Sequence, residues 1–134
     1  MSFEPKVYDP GTIQELPMAG ATTLTKNKLC KMVSGYLTNA AGGDDEVQYV
    51  VLETKTNSGS SGAVKCLVLP IDETQQYQAL TSTTLVQATH VGNDYDLSDG
   101  NTVDLGATTD KVFHIDSIVS STQAIGRFNK PAIA

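Results

Sequence analysis

Val47-Gln48-Tyr49-Val50-Val51-Leu52-Glu53-Thr54, then Asn57-Ser58-Gly59-Ser60-Ser61-Gly62, then Ala63-Val64-Lys65-Cys66-Leu67-Val68-Leu69-Pro70, is the stretch that decides the fold. The first segment is dense in β-branched and aromatic residues, which fit a pleated surface, and predicts a strand. The glycine–serine run predicts a hairpin loop too polar to pack. The third segment is apolar on both faces around Lys65 and ends at Pro70, which has no N–H to continue a ladder. Together, 47–56 and 63–69 predict an antiparallel hairpin.

The same grammar extends outward. Leu24–Val33 reads as one strand, broken at Ser34-Gly35 before a short stretch at 36–38, and Asn39–Asp45 reads as a turn. Downstream, 75–81, 85–91, 95–97, 103–105, 111–116, 118–120 and 124–128 read as short extended segments. Asn93-Asp94 and Asp99-Gly100-Asn101 are turns between them. In 85–91 the alternation places Val86, Ala88 and His90 on one face; in 111–116 it sets Val112, His114 and Asp116 against Phe113 and Ile115. No apolar spacing of i, i+3, i+4, i+7 persists over three turns. The predicted class is all-β: a small antiparallel sandwich or barrel with little helix, spanning residues 21–134 as one β domain.

Residues 1–20 differ. Pro5, Pro10, Gly11, Pro17 and Gly20 interrupt any helix or long strand, yet Phe3, Val7, Tyr8, Ile13, Leu16 and Met18 supply spaced apolar side chains. Such a segment predicts an extended arm lying on a surface, either its own domain or another chain.

Nine Lys and Arg stand against fifteen Asp and Glu, for a net charge of −6. That balance argues against a sequence-independent grip on nucleic acid, which needs a surplus of cations to release counterions. No apolar run approaches the ~18–20 residues that span a bilayer, and Met1–Lys6 shows no basic-then-apolar pattern of an export signal. No membrane partner is expected, and synthesis in a cytoplasm is the simple reading. Apolar residues make up 40% of the chain, enough for a core. Cys30 and Cys66 belong to no metal-binding or redox spacing and read as buried thiols, with a disulfide as the alternative.

Reactive chemistry is scarce. The two histidines, His90 and His114, lie in alternating segments and read as half-buried strand residues. There is no Gly-x-Ser-x-Gly elbow and no paired-histidine metal motif. Asn93–Gly100 resembles a calcium loop only superficially: counted from Asp94, Asp99 stands where the tight turn needs Gly and Leu105 where a bidentate Glu belongs. Its acids read as turn formers. Lys26, Lys28 and Lys31 form a small basic cluster without a continuous stripe, read as a solvated edge or a contact to an acidic partner. Arg127, the chain's one arginine, is placed for a bidentate contact with a carboxylate, within its own fold or, with Phe128, across a subunit boundary. No catalytic residue, cofactor or metal site is expected. Tyr36, Tyr49, Tyr77 and Tyr95 leave a carbohydrate-binding module open as an alternative, weakened by the absence of Trp.

The order of the segments resembles the head-decoration, or capsid cement, proteins of tailed bacteriophages. The resemblance rests on the broken arm, on Pro17-Met18-Ala19-Gly20-Ala21 leading to Leu24, and on three closing stretches: Val91–Leu97, Gly100–Leu105 and Gly126-Arg127-Phe128. It implies a β-tulip or related barrel, a homotrimer without enzymatic activity, bound to the major capsid protein on the outside of the virion. In that setting Phe3, Val7, Tyr8, Ile13 and Leu16 would fill pockets on the shell while the arm's backbone adds a strand to a neighbour.

Overall fold

The structure, a computed structural model, describes residues 3–6, 8, 10–41, 47–72 and 74–129. The described residues form thirteen strands: β1 Glu4–Pro5, β2 Gln14–Pro17, β3 Thr22–Leu24, β4 Leu29–Val33, β5 Tyr36–Asn39, β6 Tyr49–Val51, β7 Lys55–Asn57, β8 Lys65–Pro70, β9 Tyr77–Thr81, β10 Asp94–Asp99, β11 Thr102–Asp104, β12 Phe113–Ser120 and β13 Gln123–Phe128. One four-residue helix, α1 Gln87–His90, separates β9 from β10. The fold is all-β.

Five strands close on themselves. β9 pairs with β11, β11 with β10, β10 with β12, β12 with β13, and β13 returns to β9, with β1 lying along the same side of β9 as β11. A ring of pairings leaves no edge between these strands, which removes the usual template for aggregation. Its interior is aromatic. Phe3, Tyr77, Phe113 and Phe128 meet with ring centroids 5.1–5.6 Å apart, mostly edge to face, the arrangement the ring quadrupole favours.

A second sheet, in the order β2-β8-β6-β4-β5, packs beside the barrel. Neighbouring residues of one strand enter different cores: Leu29 and Val50 join the barrel cluster, whereas Cys30 and Val51 join a second cluster with Met18, Leu24, Leu37, Cys66 and Val68. Two buried faces explain why β6 and β8 read as continuous apolar runs rather than clean alternations. Both cysteines are free and buried; burial pushes the Cys66 thiol up to about 11 and the Cys30 thiol higher still.

Several expectations require correction. The 47–56 stretch pairs with 63–69 through β6 and, just beyond it, through the Leu52 N–H donated to the Leu67 carbonyl; β7 leaves to form a ribbon with β3. Leu24–Val33 is two strands, split by a turn in which Lys28 N–H donates to the Thr25 carbonyl and Asn27 adopts φ 68°. Ser34-Gly35, both at positive φ, form the tight turn of the β4–β5 hairpin. Residues 87–90 are helical, not extended, with the imidazole Nδ1 of His90 accepting the Val86 N–H at 2.8 Å. Val112 is buried rather than sharing an outer face with His114.

The glycine–serine loop is exposed over 58–62, as expected, and is anchored at its first residue. The side chain of Asn57 is fully buried, donates to the carbonyls of Met18, Ala19 and Ser60, and accepts the Gly59 N–H. This clasp fastens the loop to the N-terminal segment, where Gly20 lies so close that a Cβ would fall 2.8 Å from the Gly59 carbonyl oxygen.

That segment is part of the fold. β1 pairs with β9, β2 with β8, and Phe3 is completely buried among Phe113 and Phe128. Of the two surfaces open to this segment, its described strands β1 and β2 and the Phe3 ring lie on their own domain. A Phe3 side chain buried in the barrel has no face left for a shell pocket, so it leaves the set of partner-contacting residues. Leu16 packs against the second cluster, Ile13 is half-buried and Tyr8 is exposed. Val7 lies outside the described residues.

Candidate functional site

Alternation along the barrel strands sends every second side chain outward. On β12, Phe113 and Ile115 point in while His114 and Asp116 point out; on β13, Phe128 points in and Arg127 out. Register then joins residues far apart in sequence. Asp94 lies opposite His114, and His114 opposite Arg127. The result is a polar row across β10, β12 and β13, reaching Gln76 just ahead of β9.

The row is closely bonded. Asp94 Oδ1 lies 2.6 Å from His114 Nδ1 and accepts from Asn129 Nδ2 at 2.8 Å. Burial alone would raise the Asp94 carboxyl, but those hydrogen bonds, with His114 and Lys111 nearby, hold it below its ordinary value. Asp116 accepts a fork from Arg127, Nε and Nη2 each at 3.0 Å, and a further bond from Gln76 Nε2 at 3.1 Å. Arg127 is therefore bidentate to a carboxylate of its own chain. Phe128 is buried in the barrel and so is not available for the inter-subunit contact considered from sequence. Arg127 is 46% exposed, so the pair contributes at most about 1 kcal/mol and acts chiefly as a geometric constraint.

His114 stands at the centre of the row. Its Nδ1 faces Asp94 and its Nε2 lies 3.7 Å from Asp116 Oδ1. A nucleophile–base pair needs one imidazole nitrogen aimed at a hydroxyl or thiol. Among the described residues none is hydrogen-bonded to His114. An imidazole between two carboxylates, one neutralised by arginine, is a tie between strands. Two open hollows flank the row: one of about 300 Å³ at His114, Arg127, Phe128 and Asn129, the other of about 350 Å³ at Lys6, Thr74, Gln75, Gln76 and Arg127.

Other singled-out residues disperse. Asp96, buried on β10, accepts the backbone N–H groups of Asp110 and Lys111, and Asp99 accepts that of Asn101. The acids of 93–100 thus fix turns and strands. Among the described residues, no group of three or more His, Cys, Asp or Glu is placed to hold a metal ion, and no helix is long and apolar enough to cross a membrane. Tyr77 and Tyr95 are buried and Tyr36 and Tyr49 half-buried, so the four tyrosines form no common stacking platform. Lys26 and Lys28 line different hollows, Lys26 beside Tyr8 and Leu52, Lys28 beside Thr23 and Asn39. Sequence reasoning missed the joining of Asp94, His114, Asp116 and Arg127. The shared outward parity of His114 and Asp116 was its visible signal.

No family profile and no curated protein matches the sequence. Among solved structures, the fold is similar to the head fiber gp8.5 N base of bacteriophage phi29. The TM-score is 0.54 over 87% of this chain and 94% of that one, at 9% sequence identity. At that identity the likeness is one of fold.

Proposed function

We propose that this chain is a non-enzymatic structural component of a phage head: a decoration or cement protein that binds the outer capsid surface as a homotrimer and stabilises it. The observation carrying this reading is the fold likeness, across nearly the whole chain, to the base of a phage head fiber. The closing motifs of the sequence and the internally bonded histidine support it. The major capsid protein is the expected partner. Among the described residues, Tyr8 and the valines Val33, Val86 and Val119 are the large apolar side chains exposed to it. Three identical copies, each touching more than one shell subunit, would turn modest contacts into tight retention through effective concentration.

The test is co-sedimentation of the purified chain with expanded, undecorated capsids, together with light scattering. Saturable binding and a trimeric mass are expected; a strict monomer that leaves every particle unbound refutes the proposal. The same likeness favours a second reading, in which the chain is the base of a head fiber. Electron microscopy separates the two: low density scattered over the shell marks decoration, and projections rising from the bound sites mark a fiber base. The carbohydrate-binding alternative has lost Tyr77 and Tyr95 to the core, and a glycan array without hits would remove it.

A further inference from the structure

We infer that the uncharged end of the barrel, formed by residues 82–92 and 117–123, is the face through which copies of this chain associate, with Val86 and Val119 among its contacts. The inference rests on the proposed homotrimer and names the surface that holds it together.

Residues 74–93 are the chain's longest run without Asp, Glu, Lys or Arg, and 117–126 contain none either. Folding brings the two stretches together. The Thr81 N–H donates to the Thr122 carbonyl at 3.0 Å and the Leu85 N–H to the Ser121 carbonyl at 2.7 Å. These bonds lay the segment after β9 against the turn of the β12–β13 hairpin. Val86 and Val119 thereby share one end of the barrel, 50% and 49% exposed.

Two features there lack the usual cover. β12 pairs with β10 only at Phe113 and His114, with Ile115 bonded to Gly92 and Asn93 just beyond. Past that point, among the described residues, 117–120 have β13 on one side and no strand on the other. Edge strands are ordinarily guarded by charge or proline, and Ser117-Ile118-Val119-Ser120 carries neither. The second feature is α1, which buries no residue, although helices so short gain their stability from packing rather than from propensity.

Charge identifies the occupant. Each copy carries −6, so two copies repel, and they approach best where neither presents an ion. Like charges brought together in an interface are costly, and loss of charge marks interface cores. A charged partner would gain nothing electrostatically from a neutral face; a second copy gains the absence of repulsion. Short Ser, Thr, Val and Ala side chains also surrender little rotamer freedom when covered. Val33, equally exposed, lies on β4 of the second sheet and stays with the shell.

Sedimentation equilibrium of the full chain is the test, run on the wild type, Val86→Glu, Val119→Glu and Val33→Glu, with far-ultraviolet circular dichroism to check folding. A trimeric wild type is expected. Val86→Glu and Val119→Glu should each associate at least about a hundredfold more weakly, since like carboxylates would then gather on one face. Val33→Glu should keep the wild-type mass. Both valines of the face are exposed, so the core survives their replacement; should one variant fail to fold, the other decides. A wild type that stays monomeric refutes the homotrimer and the inference with it. A trimeric wild type whose mass survives either substitution of the face, or falls as far with Val33→Glu, refutes the face alone. A trimeric Val119→Glu chain that no longer sediments with capsids does so too, and gives the face to the shell.

Discussion

Replacing Phe3 by Ala tests whether the N-terminal segment belongs to the fold. The ring is fully buried, with centroids 5.6 Å from Phe113 and 5.5 Å from Phe128. Truncating a buried Phe costs about 3–5 kcal/mol, through lost transfer energy and the cavity left behind. With an unfolding entropy of about 2.1 cal/mol/K per residue over 134 residues, each kcal/mol lowers Tm by about 3.5 °C. Phe3→Ala is therefore expected to lower Tm by about 11–18 °C, read by calorimetry or thermal circular dichroism. Ala keeps the unfavourable positive φ at this position (30°), so no relief of backbone strain offsets the loss. Deleting residues 1–16 removes Phe3, β1 and most of β2, and should cost more than the point substitution. A Phe3→Ala shift of less than about 2 °C, the size of a surface change, would refute the reasoning. A 1–16 deletion that melts with the full chain would do the same, and the segment would then be an arm free to lie elsewhere.

A Cβ on Gly126 would fall on the His114 carbonyl oxygen and 2.5 Å from the Phe113 ring. Gly126→Ala should therefore destabilise by about 3 kcal/mol or more in a urea titration. Asn57→Ala leaves the Ala19 carbonyl and the Gly59 N–H without their partner, while Met18 and Ser60 keep backbone donors, and should cost about 1–3 kcal/mol; Asn57→Asp, which turns donors into a charge facing carbonyls, should be worse on the same titration. The Asp94 carboxyl is depressed in the folded state, so its contribution is complete above the unfolded carboxylate value of ~3.9 and fades as pH falls toward the folded one. Asp94→Asn should flatten the acid limb of a Tm–pH curve. Both thiols are raised by burial, so the unfolded chain loses protons first above ~8.5 and stability should decline from there. Alkylation by iodoacetamide should accordingly track global unfolding; fast labelling of the native chain would contradict the burial.

What the sequence made legible depended on where its signals were local. β6 and β8 were readable because β-branched residues crowd both of their faces, and the Ser34-Gly35 break was readable because it is a two-residue turn. The turn at 25–28 hid because Asn27, not Gly, takes the positive φ. The short helix hid because Val86, Ala88 and His90 alternate by accident on residues that are mostly exposed. Departure of β7 toward β3 is fixed by Asn57, two of whose acceptors, Met18 and Ala19, lie on residues no local pattern connects to it. The polar row followed the same rule. Outward parity of His114 and Asp116 was visible, and an acid partner for Arg127 was expected from its chemistry. Which acid it would be, and the arrival of Asp94 opposite His114, required the register.

Gly126-Arg127-Phe128 shows how closely the outer row and the inner core depend on one another. β12 carries a bulge: Ile115 pairs with Gly126 and Ser117 with Ile125, so Asp116 has no partner of its own across the ladder. A bulge sharpens the local twist and re-aims side chains. Here Asp116 meets Arg127 and Gln76 on the outside while Phe113 and Phe128 remain in contact within. Only a residue without a side chain lets β13 come this near to β12, and Gly126 is that residue. The next position supplies the fork that holds Asp116, and the one after it fills the barrel. Changing the glycine should therefore disturb the row as well as the core, whereas replacing Arg127 should loosen the row with little effect on the barrel. A His114 perturbed equally by both changes would mean that the row is held by its own hydrogen bonds and not by the closure of the ring.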